Sequence, residues 1–129
     1  REIKESDTFE FNGKVYNSSE FLSEDKPGKE ISIIPDTRYF DGLREFVKNS
    51  NVIISECTYL LKEDAHHAKK NYHLSILDVE KMIENSKVEN LFLTHISARY
   101  DRNIEKDAVE SLCDKCSVKI AHDLEEYTL

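Results

Sequence analysis

The chain carries two apolar segments that each end in a side chain able to bind a metal. Residues 91–100 read Leu-Phe-Leu-Thr-His-Ile-Ser-Ala-Arg-Tyr, in which the apolar run leads directly to His95. Residues 31–39 repeat the design, and there the run leads to Asp36. A buried strand with polar groups at its carboxyl end is the usual way in which an open α/β sheet presents chemistry. Taken singly, Asp36 is explained as the cap of a following helix and His95 as a histidine that is hydrogen-bonded to backbone. As a pair, they are residue types that ligate divalent cations.

The rest of the chain alternates predicted strands with predicted helices. Apolar runs between turn residues predict strands covered on both faces at residues 31–34, 51–56 and 91–93. Helical patterns predict helices over residues 41–48, 63–70, 75–85 and 104–112. Alternating runs around Asn-Gly predict a hairpin at residues 9–16, and we expect a closing strand pair at residues 118–121 and 125–129. This order indicates an α/β fold with a largely parallel sheet.

Composition excludes several classes of function. The 26 acidic and 18 basic side chains give a formal net charge of −8, the wrong sign for a surface that grips nucleic acid by itself. If the protein handles RNA, most phosphate contacts must come from elsewhere. No apolar run is long enough to span a membrane, and no signal segment opens the chain. The three cysteines cannot all pair, which suits a reducing compartment, so we expect a cytoplasmic protein.

Two further motifs lie between the apolar segments, and the set of four resembles ribonuclease Z of the metallo-β-lactamase superfamily. That family carries, in order, Gly-Asp-Thr, His-Glu-Ala-Thr, His-Ser-Thr and Leu-Thr-His-x-Ser-x-Arg-Tyr. This chain reads Pro-Asp-Thr at residues 35–37, Ser-Glu-Cys-Thr at 55–58, His-Leu-Ser at 73–75 and Leu-Thr-His-Ile-Ser-Ala-Arg-Tyr at 93–100. The last motif is the most specific of the four, and their order and spacing support one another.

The resemblance runs from about residue 11 to the end of the chain and implies a fold. It implies half of a metallo-β-lactamase-like four-layer αββα sandwich, with a mixed sheet and helices on one face, and makes residues 1–129 the C-terminal half of such a domain. The sheet's other face is then expected to expose a large apolar surface. The family's H-x-H-x-D-H metal motif does not occur in the 129 residues. We therefore expect an upstream N-terminal half, or a second chain, to supply it.

The resemblance also implies roles for four residues. Asp36 matches a carboxylate that bridges two zinc ions, with manganese or another divalent ion as an alternative, and His95 matches an imidazole ligand. His73 matches the histidine that protonates the leaving 3′-oxygen, and Glu56 is the partner that orients its ring. The simpler interpretations are an exposed strand-end carboxylate for Glu56 and a surface helix cap for His73. Two ligands alone cannot fix a dinuclear site, so we expect the isolated chain to be inactive.

Three residues are candidates for contact with substrate: Thr58, Ser75 and Arg99. Arg99 is equally well explained as an arginine that ties neighbouring loops together. The chain departs from the family pattern at Pro35, where the family has glycine, and at Ser55, where it has histidine. Pro35 removes an N–H and restricts the backbone just before Asp36. The change at Ser55 affects a loop that faces the substrate more than it affects the metal ligands.

The function implied by the resemblance is a zinc-dependent endoribonuclease that cleaves the 3′ trailer from precursor tRNA, working as a homodimer. Two alternatives stay open. One is another phosphodiesterase or hydrolase of the same superfamily, and the other is a non-catalytic remnant or binding module that keeps the half fold. The discriminating observation is whether an upstream segment or a second chain carries H-x-H-x-D-H.

Overall fold

A computed structural model describes residues 7–22 and 28–128, and its centre is a parallel sheet of four strands. Its strands are β3 (Ile31–Ile34), β4 (Val52–Glu56), β5 (Asn90–Thr94) and β6 (Ser117–Ile120). They lie side by side in this order, so that neighbours in sequence are neighbours in space. Each adjacent pair is parallel. The predicted α/β class with a parallel sheet is confirmed. Among residues 7–22 and 28–128, antiparallel pairing occurs only in a separate hairpin.

That hairpin consists of β1 (Thr8–Phe11) and β2 (Lys14–Asn17), as the sequence predicts. Its two turn residues, Asn12 and Gly13, have φ of 50° and 73°. Two consecutive residues in the left-handed region form the turn whose twist matches that of an antiparallel pair, and asparagine and glycine adopt it at least cost.

In the part of the chain that the structure describes, four α-helices connect successive strands of the sheet. They are α1 (Gly42–Val47), α2 (Ala65–Asn71), α3 (Ile76–Ile83) and α4 (Arg102–Leu112), close to the predicted ranges. A 3₁₀ turn at Lys62–Asp64 leads into α2, and another at Ser18–Glu20 follows the hairpin. Within the described ranges, no helix has the length and apolar character needed to cross a membrane.

The core lies on one face of the sheet, beneath the helices. Side chains alternate between faces along a strand, and the register places alternate residues of all four strands on the covered face. The buried cluster there contains Ile34, Ile53, Leu91, Leu93 and Val118 from the strands, with Leu43, Val47, Ala68, Ile76, Val79, Met82, Ile83, Ala108 and Leu112 from the helices. Burial of each large aliphatic side chain stabilises the fold by about 1.5–3 kcal/mol.

The opposite face of the sheet is partly open. Ile31 and Ile33 alternate with buried neighbours on β3, and they are 50% and 64% exposed. Phe40 and Phe46 are also exposed beside the β3 edge, where they and Ile33 line an apolar cleft. This exposure agrees with the apolar surface expected for the uncovered face of a half sandwich.

The predicted closing strand at residues 125–129 is wrong for residues 125–128, and residue 129 lies outside the described residues. Leu124 has a φ of 66°, which turns the chain away from the direction of β6. Tyr127 then folds over the open face, with its ring 4.9 Å from that of Phe92. Its hydroxyl lies 2.5 Å from the Glu125 carboxylate and 3.2 Å from the Ile120 carbonyl oxygen, so side-chain contacts, not a strand ladder, hold this segment.

Ser75 begins helix α3 and offers a test of local stability. It is fully buried, its hydroxyl accepts from the Asp78 N–H, and the Asp78 carboxylate accepts from the Ser75 N–H. We expect Ser75→Ala to lower the free energy of unfolding by about 1 kcal/mol, the usual cost of losing an N-cap. Urea denaturation measures this, with the exposed Ser117→Ala as control. Equal effects of the two substitutions would contradict the assignment.

Candidate metal centre

The carboxyl ends of β3, β4 and β5 meet at one edge of the sheet and bring the predicted residues together. Asp36 follows β3, Glu56 ends β4, and His95 follows β5 directly. His73 arrives from the segment between α2 and α3. A parallel bridge between Tyr59 and Ser75 holds that segment against the chain that leaves β4. Crossovers in a parallel sheet make this convergence possible for residues far apart in sequence.

Asp36, His73 and His95 form a cluster of three possible metal ligands. One donor atom from each lies within 4.8 Å of the others. His95 Nε2 lies 3.4 Å from Asp36 Oδ2, and the rings of His73 and His95 are stacked with their centroids 5.0 Å apart. The side chains of Asp36 and His95 are about half exposed, whereas that of His73 is 23% exposed. The cluster is therefore accessible from solvent.

His95 adopts a backbone conformation that most residues avoid. Its φ is 55°, in the left-handed region. Such a conformation costs on the order of 1 kcal/mol or more, and it persists only where surrounding contacts hold it. On one side the Thr94 carbonyl accepts from the Cys57 N–H, and on the other the Ser97 N–H donates to the Thr58 carbonyl. The segment that follows β4 thus fixes the turn that places the His95 side chain next to Asp36.

Glu56 is the hub of the site and is almost completely buried, with 1% exposure. Its Oε1 accepts hydrogen bonds from the backbone N–H of Thr37 and of Leu74, at 3.1 and 2.9 Å. Its Oε2 accepts from both the N–H and the hydroxyl of Thr58, at 3.1 and 3.0 Å. Every one of these partners donates, which is the arrangement that an ionised carboxylate requires.

The same carboxylate lies next to His73. The distance from His73 Nδ1 to Glu56 Oε1 is 3.3 Å. A proton on Nδ1 that faces Glu56 leaves Nε2 as the ring nitrogen available to the site. Glu56 therefore contacts the loop of Asp36, the segment of His73 and, through Thr58, the ring of His95. The sequence predicted its link to His73 but gave no sign of the other two.

The structure places the three predicted substrate contacts in different surroundings. Thr58 is 8% exposed, and its hydroxyl lies between Glu56 Oε2 and His95 Nδ1. Ser75 is fully buried, and its hydroxyl is occupied by the cap of α3. Both side chains thus hold the site and its neighbouring helix in shape.

Arg99 is exposed and belongs to a contact network on the loop after β5. Its Nε donates to Ser97 Oγ at 3.2 Å, and its Nη1 lies 3.9 Å from Asp64 Oδ2. The Tyr100 hydroxyl donates to the same carboxylate oxygen at 2.6 Å. Burial, together with that hydrogen bond, raises the pKa of Tyr100 to about 12. The network ties the loop to the turn before α2, one of the two interpretations that the sequence allowed.

A cleft of about 440 Å³ beside His73 is lined by two basic side chains that were not among the residues predicted from the sequence. Arg38 and Lys69 line it, together with Tyr39, Ala65 and Asp78. Arg38 lies 5.0 Å from the centre of the Tyr72 ring, a distance typical of a cation–π contact. Arg38 could have been found from its position two residues after Asp36. Lys69 could likewise have been found, because it precedes His73 by only four residues at the end of α2.

Cys57 adjoins the site but is not among its ligands. It is fully buried, and burial raises the pKa of its thiol, with the Glu56 charge adding to the effect. The thiolate is the form that binds metals, so a neutral thiol here acts as a small apolar side chain.

The donor set fits a divalent cation. In a tetrahedral zinc site with bonds of about 2.0–2.2 Å, neighbouring donor atoms are about 3.4 Å apart. His95 Nε2 and Asp36 Oδ2 are separated by 3.4 Å. Imidazole and carboxylate together suit zinc and other borderline first-row ions. A metal binds in the plane of an imidazole ring, along the lone pair of the ring nitrogen. The lone pairs of two stacked rings point side by side and do not converge on one ion. The stacking of His73 on His95 therefore favours Asp36 and His95 as the pair that shares one ion.

Comparison with solved structures identifies the class of fold. The metallo-β-lactamase fold protein YhfI from Bacillus subtilis matches 70% of this chain with a TM-score of 0.56 and 24% sequence identity. The match covers 36% of that protein. The chain therefore has a metallo-β-lactamase fold over the matched part, as the resemblance predicts.

Comparison of sequences identifies the family. Ribonuclease Z of an Exiguobacterium species is 36% identical over all 129 residues, and that of Staphylococcus epidermidis is 39% identical over 118 residues, 92% of the chain. Ribonuclease Z of Staphylococcus aureus is 37% identical over 102 residues, 78% of the chain. No family model matches. The chain is a relative of ribonuclease Z, and it spans only 33–42% of the length of these proteins.

Proposed function

We propose that this chain contributes the Asp36–His95 half of a dinuclear zinc site in an endoribonuclease that cleaves the 3′ trailer from precursor tRNA. The observation that carries the proposal is the meeting of Asp36, His95 and the Glu56-bound His73 at one edge of the sheet. The reaction is proposed from the relatives of the chain that are named ribonuclease Z. Manganese or another divalent ion suits the same donors.

The residues of the chain have distinct parts in this reaction. Asp36 and His95 hold metal, and a bound ion supplies an acidified water and stabilises charge on the phosphate. His73 gives a proton from Nε2 to the departing 3′-oxygen, which leaves as a hydroxyl group. Glu56 holds the ring in place and stabilises its protonated form through Nδ1, at 3.3 Å. A donor placed in this way contributes about 10²–10⁴-fold in rate.

The RNA needs positive contacts that this chain supplies only in part. Arg38 and Lys69 lie beside His73 and are placed to meet phosphates next to the cleaved bond. The net charge of −8 means that further contacts come from an upstream N-terminal half of the domain, a second chain or the partner of a homodimer.

Cysteines 57, 113 and 116 are all free, which supports a place in the reducing cytoplasm.

The test uses what we call the assembled domain, which is this chain combined with a segment or second chain that carries H-x-H-x-D-H. With zinc, the assembled domain is expected to cut precursor tRNA after the discriminator base and leave a 3′-hydroxyl. Cleavage should weaken steeply with added salt, because phosphate contacts release counterions. Hydrolysis of a small phosphodiester at the same metals should depend on salt much less. Electrophoresis of the RNA products and a chromogenic ester assay measure the two activities.

The outcomes separate the proposed function from its alternatives. The 129-residue chain alone is the control, and it should bind zinc weakly in a calorimetric titration and cut neither substrate. Hydrolysis of the small ester without cleavage of precursor tRNA at low salt would favour another superfamily phosphodiesterase. An assembled domain that binds no metal would favour a non-catalytic module.

A further inference from the structure

Thr58 lies between Glu56 and His95, within hydrogen-bond distance of both. Its Oγ1 is 3.0 Å from Glu56 Oε2 and 2.7 Å from His95 Nδ1. A carboxylate can only accept hydrogen bonds, and a hydroxyl has a single proton to donate. When the Thr58 proton goes to Glu56, only the lone pairs of Oγ1 remain for the ring. His95 Nδ1 must then carry the proton of the 2.7 Å contact.

The opposite arrangement is unfavourable in this location. If Thr58 donated to His95, its oxygen and the carboxylate oxygen would face each other as two acceptors 3.0 Å apart. Glu56 and Thr58 are 1% and 8% exposed, so little solvent is present to screen that repulsion. Unpaired polar contacts cost most in such a low-dielectric interior.

A proton on Nδ1 determines what the other ring nitrogen presents. In a neutral imidazole with Nδ1 protonated, Nε2 carries an exposed lone pair. His95 Nε2 lies 3.4 Å from Asp36 Oδ2, which is also an acceptor. Two acceptors at this distance are stabilised by a cation between them, so the pair of His95 Nε2 and Asp36 Oδ2 favours a bound positive ion.

We propose that Thr58 is a positioning residue that fixes His95 in the Nδ1-protonated form and so turns the Nε2 lone pair toward a divalent cation shared with Asp36. Glu56 is the fixed end of this chain of hydrogen bonds. Because Glu56 also meets Nδ1 of His73, one buried carboxylate sets which nitrogen each histidine presents to the site. The part of this proposal that concerns metal affinity rests on the function proposed above, whereas the part that concerns the His95 tautomer does not.

The first measurement is made on the metal-free 129-residue chain with ¹⁵N-labelled histidine. Long-range ¹H–¹⁵N spectra, recorded well above pH 7 where imidazoles are neutral, show which ring nitrogen carries the proton. The His95→Ala spectrum identifies the His95 signals. We expect Nδ1 to be protonated in the unchanged chain and in Thr58→Ser, and a shift toward Nε2 protonation in Thr58→Val. An Nε2-protonated His95 in the unchanged chain would overturn the proposal without any variant.

The second measurement is the zinc affinity of the assembled domain. Thr58→Val is expected to weaken zinc binding by about 10–100-fold, the usual effect of removing the partner of a metal-binding histidine. Thr58→Ser, which restores the hydroxyl, should recover most of the affinity. Equal losses in both variants would show that keeping the hydroxyl does not preserve zinc affinity, and this result would overturn the assigned role of Thr58. If the tautomer result holds but the assembled domain does not cut precursor tRNA, the proposed function fails and the role of Thr58 stands.

Discussion

Replacing Glu56 with alanine is expected to lower the free energy of unfolding of the chain by about 3 kcal/mol or more. The substitution removes the acceptor from the backbone N–H groups of Thr37, Thr58 and Leu74. Buried donors left without an acceptor cost about 1–3 kcal/mol each. Because Glu56 is 1% exposed, water cannot easily replace the lost carboxylate. Urea denaturation followed by circular dichroism measures the change.

Two further variants sharpen this test. Glu45→Ala removes a carboxylate whose side chain is 78% exposed, and it should change the free energy of unfolding by less than about 0.5 kcal/mol. Glu56→Gln keeps the shape and one acceptor oxygen, so its loss should lie between those of the two alanine variants. If Glu56→Ala cost no more than Glu45→Ala, Glu56 could not be the hub that joins the three loops.

The second large effect concerns metal and rate in the assembled domain. Asp36→Ala and His95→Ala each remove a donor atom that binds the metal. We expect either substitution to reduce zinc affinity by more than about 100-fold, because loss of a residue that only hydrogen-bonds a metal ligand already costs up to that much. His73→Ala should leave zinc bound and slow cleavage by about 10²–10⁴-fold, since it removes only a proton donor. Calorimetric titration and single-turnover cleavage separate the two effects.

The matched control is His66→Ala, which removes an exposed histidine on α2 whose Nδ1 lies against the Glu63 carbonyl. It should leave zinc affinity and cleavage unchanged. Loss of zinc in His73→Ala would instead make His73 a third ligand, as its membership of the three-residue cluster allows. Its stacking on His95 argues against that outcome.

Much of the fold could be predicted because its signals are local. Continuous apolar runs marked β3, β4 and β5, and Asn12-Gly13 marked the hairpin turn. The closing strand was predicted wrongly at residues 125–128 for a reason that is not local. Leu124 turns the chain, and the Tyr127 ring packs on Phe92 across the face of the sheet. Alternation in a short segment does not reveal which surface is free to receive it.

The sequence by itself determined the residue types at the sheet edge. Asp36, Glu56 and His95 end or follow buried strands, and the order of their motifs pointed to ribonuclease Z, a resemblance that the comparisons confirm. These assignments succeed because parallel strands bring their carboxyl ends to one edge whatever the details of packing. The chemistry of each strand end was therefore readable before the fold was known.

Only the tertiary structure decided how those side chains are connected. It made Glu56 a buried acceptor for three loops, placed the Thr58 hydroxyl against His95, and brought Arg38 to the cleft beside His73. The contact of Thr37 with Glu56 and that of Thr58 with His95 join residues that are 19 and 37 positions apart in the sequence. Hydrogen bonds need their atoms placed within a few tenths of an ångström, and only the packed helices and strands fix positions that closely. Spacing in a sequence carries no such information, and for this reason the roles of Glu56 and Thr58 as organisers of the site emerged from the fold alone.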